Sequence, residues 1–200
     1  MSNKDTLTSI VSKRNLLQHP FYQAWSNGTL PMQALQTYAR EYGVFIGMLP
    51  RAWEAMNDSD TAAEEREHAE LWDDFAAALD TRVSGSAETP EIQGLAATAH
   101  RLFRDPATAA GALYAFEVQQ PATASSKLDG LRTHYNLPQT VEPYFEIHSH
   151  NEHEAAKLLA RIDGLPCADQ SRSLDACAEM AESLWNALSG IYGKENMSSC

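Results

Sequence analysis

PMQALQTYAREYGVFIGMLPRAWEAM, Pro31 to Met56, decides the fold class. Leu35, Tyr38, Tyr42, Phe45, Leu49, Trp53 and Met56 recur every three or four residues, which places them on one face of a long helix with Pro31 at its first position. Working outward, the same spacing predicts helices over 4–18, 19–26, 59–79, 90–104, 106–135 with a kink at Pro121, 138–163, and 168–192. No stretch shows the alternating Val, Ile and Thr pattern of a strand. The expectation is an all-α protein, a bundle of seven to eight helices. The Thr81 to Thr89 stretch, with Ser84, Gly85 and Ser86, reads as a hinge between helices rather than a domain boundary. A single domain over 1–194 follows, with a polar tail over 195–200.

The 200 residues carry 27 acidic and 15 basic side chains, a formal charge of −12. That field repels a phosphate backbone and an anionic membrane leaflet, so nucleic-acid and membrane partners are excluded. The N-terminus MSNKDTLTSIVSK lacks the apolar core of a signal peptide, and the expected location is the cytoplasm. Cys167, Cys177 and Cys200 form no CxxC pair and read as free thiols. A domain of this length needs neither disulfides nor a structural metal to fold, so a bound metal would serve chemistry.

The informative positions are ionisable residues on apolar stripes, because a buried charge needs a partner or a metal. On the 138–163 helix the core line is Val141, Phe145, His148, Glu152, Ala155 and Leu159. His148 and Glu152 then point inward, while His150, His153 and Glu154 fall on the solvated side with Glu146 and Lys157. On 106–135, Glu117 shares a face with Leu113, Ala124, Leu128 and Leu131. On 59–79, His68 heads the apolar line, and Glu65 or Glu64, three or four residues earlier, can reach the same side. Each residue alone reads as a hydrogen-bonded core group. Together, two imidazoles and two or three carboxylates from three helices form the donor set that non-haem iron or manganese favours. A ferritin-like di-iron site would need a second Glu-x-x-His motif, and only Glu65 to His68 fits.

Three stretches carry a resemblance. HPFYQAWSNGTLPMQALQTYAREYGVF (His19 to Phe45), ALYAFEVQQPATASSKLDGL (Ala112 to Leu131) and YFEIHSHNE (Tyr144 to Glu152) resemble the haem-oxygenase-like proteins related to the CADD, PqqC and TenA families, with CADD-type para-aminobenzoate synthases and dimetal oxidases nearest. The resemblance implies a seven-helix bundle without bound haem. It implies His68, Glu117 and His148 as metal ligands, Glu152 in place of the family's Asp, and Glu65 as a further ligand. It also implies Fe(II), as one or two ions, or manganese, with O2 as co-substrate. Lys127 matches the lysine that CADD-type enzymes need when they make para-aminobenzoate from one of their own tyrosines, and Tyr22 matches that tyrosine. Two positions depart from the pattern: Thr61 stands where a Glu ligand is expected, and Ala155 where the last His is expected. On an uninterrupted helix His153 points away from the His148 line and does not replace it.

The leading expectation is therefore an oxygen-dependent metal oxidase acting on a small molecule or on its own tyrosine, with a homodimer implied by the relatives. Two alternatives stay open. One is a metal-free PqqC-like oxidase, against which stands the shortage of inward basic residues. The other is a non-catalytic binding protein that keeps the fold, which Thr61 and Ala155 favour. Thiaminase chemistry of the TenA kind needs a cysteine in mid-bundle, and all three cysteines lie after Leu165.

Overall fold

Ser2 starts the first helix with a capping box, its hydroxyl accepting from Asp5 N while the Asp5 carboxylate accepts from Ser2 N, and α1 runs Asn3–Ser12. A computed structural model describes residues 2–197, with side chains to 193. A single 3-10 turn leads to α2 (Pro20–Ser26), capped by His19, whose Nδ1 accepts from Phe21 N at 3.0 Å. The stripe over 31–56 is helical throughout but not uniform: α3 (Met32–Thr37) passes into a π-helical turn, Tyr38–Tyr42, then α4 (Gly43–Ile46) and α5 (Leu49–Ala55). All seven apolar residues of the stripe are buried.

The wide π turn frees carbonyls that an α-helix would occupy, and both find donors. Trp72 Nε1 donates to Ala39 O at 2.9 Å, and Ser84 N donates to Arg40 O at 2.9 Å. Gly43 permits this approach, since a Cβ there would lie 2.7 Å from Trp72 Nε1 and 2.6 Å from Val83 Cγ2.

Asp58 caps the long α6 (Ser59–Ala78), and Pro90 opens α7 (Pro90–Leu102). The single kinked helix expected over 106–135 is two helices, α8 (Pro106–Glu117) and α9 (Gln120–His134), separated at Val118 and Gln119. Pro121 sits in the first turn of α9, where its missing N–H is no loss. The expected continuous helix over 138–163 is also two: α10 (Pro143–His148) and α11 (His153–Asp163). The intervening Ser149, His150 and Asn151 are poor helix formers, and Ser149 Oγ bonds back to Glu146 O at 2.8 Å. The last helix, α12 (Cys167–Met197), continues past the expected boundary at 194, and residues 198–200 of the expected tail, Cys200 included, lie outside the described residues.

Among the described residues there is no strand, and no helix is long and apolar enough to cross a membrane. The helices α8 and α12 form the central crossing. They touch backbone to backbone at Gly111, where a Cβ would lie 1.8 Å from Ser173 O, and Ser173 Oγ donates to Ala107 O at 2.7 Å. An aromatic layer of Trp25, Tyr38, Trp72, Phe75, Tyr144 and Phe145 joins α2, the π turn, α6 and α10 around one face of the bundle interior.

Candidate metal centre

The break at 149–152 decides which groups reach the interior. Because α11 begins afresh at His153, its buried line is Glu154, Leu158 and Ile162 rather than Glu152, Ala155 and Leu159. Glu152 is exposed at the helix start and joins no cluster of ligand-type side chains, which corrects the expectation that it points inward. Glu154 takes its place, fully buried.

Three groups of side chains, each with ligand atoms within 4.8 Å of one another, share members: Glu65, His68 and His148; Glu65, Glu117 and Glu154; and Glu64, His153 and Glu154. Glu65 and Glu154 each belong to two of them. The result is one continuous array of four carboxylates and three imidazoles from α6, α8, α10 and α11. His153, read as solvated from the sequence, lies at its exposed end with Glu64. His153 and Glu154 thus stand beside Ala155 in the sequence, and Glu64 stands one turn beyond Thr61.

Electrostatics of this array are unusual. Neither oxygen of Glu65, Glu117 or Glu154 has a hydrogen-bond partner, and none of these carboxyls is solvent-accessible. Burial first, then the charges of Glu154 and Glu65, pushes the Glu117 carboxyl well above its ordinary value. Glu65 is raised by burial against the opposing effect of His68, whose Nδ1 lies 3.6 Å from Glu65 Oε2, too far for a hydrogen bond. At His68 burial acts downward, but Glu65, Glu154 and Glu64 outweigh it and raise the imidazole. His148 goes the other way, to about 3, through burial and the neighbouring His68. It is neutral at pH 7. Its Nδ1 lies 2.7 Å from Tyr144 O, and because a carbonyl only accepts, Nδ1 carries the hydrogen and Nε2 presents a lone pair with no partner. That is the second-sphere arrangement of a metal-ligating histidine. Tyr144 also stacks on the His148 ring at 4.2 Å, and the His68 and His148 rings meet edge to face at 4.6 Å.

The array fits a cation. Among the described residues no Lys or Arg pairs with these three buried carboxyls, and only the His68 imidazole stands beside Glu65, so the cluster must either keep protons or hold a cation. Mixed carboxylate and imidazole donors from several helices suit iron or manganese.

A second buried group adjoins the first. Lys127, 3% exposed, donates to Tyr38 Oη at 3.2 Å and to Tyr22 Oη at 3.4 Å, and the two phenols are 3.3 Å apart. Burial lowers the Lys127 ammonium to about 7, and it raises both phenols above their ordinary value. Periodicity alone would leave Lys127 on a solvated face; the structure encloses it, with Phe145 at 5.0 Å. Trp72 packs on Tyr144 at 4.7 Å and on Tyr38 at 5.3 Å, between the two groups, and the Lys127 charge acts on His148 directly.

Residues 29–188 match the family model described as iron-containing redox enzyme. The chain belongs to this family. It is accordingly an oxidoreductase. Among curated proteins, the 4-aminobenzoate synthase of Chlamydia pneumoniae is 28% identical over 98% of this chain and 97% of its own length. That of Nitrosomonas europaea is 30% identical over 94% of this chain and 90% of its own length. Among solved structures, a domain of unknown function with a haem-oxygenase-like fold from Shewanella denitrificans superposes with a TM-score of 0.78 at 14% identity, covering 98% of this chain and 93% of that one. This last likeness concerns the fold alone.

Proposed function

We propose that this protein is an oxygen-dependent oxidase that holds two metal ions, iron with a second iron or manganese, and makes 4-aminobenzoate from its own Tyr22, with O2 as oxidant and the Lys127 amine supplying the amino nitrogen. The observation that carries the reading is the donor array without a protein cation, set beside a buried amine that touches two phenols. An inner position would use His68, His148 and Glu65, an outer one Glu64, His153 and Glu154, with Glu117 between them. Glu152 is left out of the ligand set on its exposure. Bound iron supplies the one-electron chemistry through which O2 attacks otherwise inert bonds.

The remaining roles belong to the chain itself. His148 is held by Tyr144 O in the tautomer that offers Nε2. Tyr22 and Tyr38 stay protonated at neutral pH because burial disfavours the phenolate. Lys127, at about 7, spends a large fraction of its time as a neutral amine with a lone pair, positioned against Tyr22. Water is excluded from this contact, since Tyr22, Tyr38 and Lys127 are all buried. Such enclosure supports a substrate drawn from the chain rather than from solution. A protein that had kept the fold and lost the metal would leave three buried carboxyls uncompensated, and this weighs against a non-catalytic role. A metal-free cavity oxidase is disfavoured as well, because Lys127 is the one buried Lys or Arg among the described residues.

The test loads apoprotein anaerobically with Fe(II) and Mn(II), counts bound metal, then admits O2 and analyses small molecules and the intact chain by mass spectrometry. Two bound equivalents, 4-aminobenzoate, and a chain mass reduced by loss of the Tyr22 side chain and of the Lys127 amine nitrogen are expected. Absence of specific binding, or binding unaffected by His68→Ala and His148→Ala, rules out the metal reading. Product formed over many turnovers with an unchanged chain mass rules out Tyr22 as the source.

A further inference from the structure

Lys157 makes a contact that the donor array does not explain. Its Nζ lies 2.6 Å from Asp58 Oδ2 and donates to Thr61 Oγ1 at 2.6 Å, over the Trp53 ring at 5.5 Å. Asp58 is the cap of α6 and accepts from Thr61 N, so the ammonium grips the very start of that helix. Thr61 is buried one turn before Glu64 and Glu65, and Lys157 follows His153 and Glu154 by one turn on α11. Along these two helices, residue numbers rise on one as they fall on the other.

Two adjacent lines on α11 are held in different ways. Glu154, Leu158 and Ile162 are buried, and apolar packing at Leu158 and Ile162 draws that line inward. The neighbouring line of His153, Lys157 and Arg161 meets the α5–α6 junction through Lys157 on Asp58 and Thr61 and over the Trp53 ring, and through Arg161 Nη1 donating to Met56 O at 2.8 Å. We propose that Lys157 is a positioning residue whose grip on Asp58 and Thr61 holds the His153 edge of α11 against α6, so that Glu64, His153 and Glu154 together form the outer metal position. This rests on the two-metal reading above. The Thr61 side chain, which departs from the family pattern as a ligand, acts here as the acceptor that fixes the second half of the site.

A positioning role and a simple charge effect have opposite signs. An ammonium that merely sat near a bound cation would repel it, and removing the ammonium would tighten binding. A clamp, when removed, loosens binding. The experiment titrates Mn(II) alone into metal-free wild-type, Lys157→Met, Lys157→Arg and Asp58→Asn proteins without O2, reading free Mn(II) by electron paramagnetic resonance. The wild type should bind two equivalents. Lys157→Met should bind the first with unchanged affinity and the second about 10-fold to 100-fold more weakly, the range seen when outer-sphere supports of a metal site are removed. Asp58→Asn should shift the second in the same direction, and Lys157→Arg should restore it. Unchanged or tighter second-site binding in Lys157→Met overturns the proposal, as does equal weakening of both equivalents. A wild type that binds one equivalent overturns the outer position with it, whereas a wild type that binds none also removes the metal reading beneath.

Discussion

Glu117→Gln should stabilise the metal-free protein while weakening its hold on metal. Glu117 is fully buried, neither oxygen has a donor, and its ligand atom lies within 4.8 Å of those of Glu65 and Glu154. Two like charges at that separation repel by about 3.5 kcal/mol at an effective dielectric of roughly 20. Part of that is relieved in the metal-free state by protonation, since burial and the neighbouring carboxylates raise the Glu117 carboxyl. Gln keeps the size, removes the charge and adds two N–H donors beside Glu65 and Glu154. The net gain should be about 2 kcal/mol at pH 7, a rise in Tm of roughly 4–8 °C for a chain of this length. Saturating metal should reverse the order. A site filled at 100 times its Kd adds about 2.7 kcal/mol to the wild type, and less to a variant that binds poorly. Thermal unfolding of chelator-treated protein, with and without Mn(II), reads both halves. A lower Tm for metal-free Glu117→Gln would mean that the carboxylate has a compensating partner, and the argument from uncompensated charge would fail. The pH dependence has a defined sign. Native Glu65 and Glu117 keep protons that the unfolded chain releases near its ordinary carboxyl value, so the metal-free protein loses stability as pH rises from about 4.5 through the raised native values.

Other consequences can be measured independently. Gly111→Ala places a methyl carbon against the Ser173 carbonyl on the opposite backbone, and neither helix has a flexible tip to move; a loss of about 3 kcal/mol, or roughly 6–12 °C in Tm, is expected, and a neutral outcome by calorimetry would show that the α8–α12 crossing can relax. Glu154→Ala should abolish stoichiometric metal binding and Glu152→Ala should leave it intact; elemental analysis giving the opposite result would restore the uninterrupted-helix register. Yield of 4-aminobenzoate should climb as pH passes about 7 and Lys127 loses its proton, with Lys127→Arg yielding none; a yield that falls over that range would exclude the neutral amine as the working form. The same low native value should make the Lys127 contribution to stability increase with pH from about 7 toward the value of an unfolded lysine, near 10.4.

What could be read from the sequence followed from how far local periodicity reaches. Leu35 to Met56 revealed the all-helical fold because burial repeats every turn even across a π turn. Only the single Gly43 marks the place where the backbone widens. His68, Glu65 and His148 could be picked out because each has apolar neighbours one turn away on its own helix, and Glu117 because Leu113 lies one turn before it on α8. Glu154 and His153 could not be, as long as the phase of His148 was carried across Ser149 to Glu152. The signal was present in two places: a run of polar, weakly helical residues at 149–151, and a second apolar phase through Leu158 and Ile162 that matches Glu154. The enclosure of Lys127 by Tyr22 and Tyr38 has no local signature, since the groups are 105 and 89 residues apart; only resemblance pointed to the first pair.

The irregular segment 149–152 makes chain length an encoder of chemistry. Each residue of an α-helix turns the face by about 100°, so a one-residue insertion or deletion there, with Leu158 and Ile162 kept in their seats, leaves every ligand on α11 unchanged and alters only the span of the linker. The same change with α11 dragged along would present Ala155 or His153 in place of Glu154. Relatives could therefore differ in ligand identity through a single codon gained or lost outside the site, and ligand correspondences counted by residue number across this segment would name the wrong atoms while the two helices superpose.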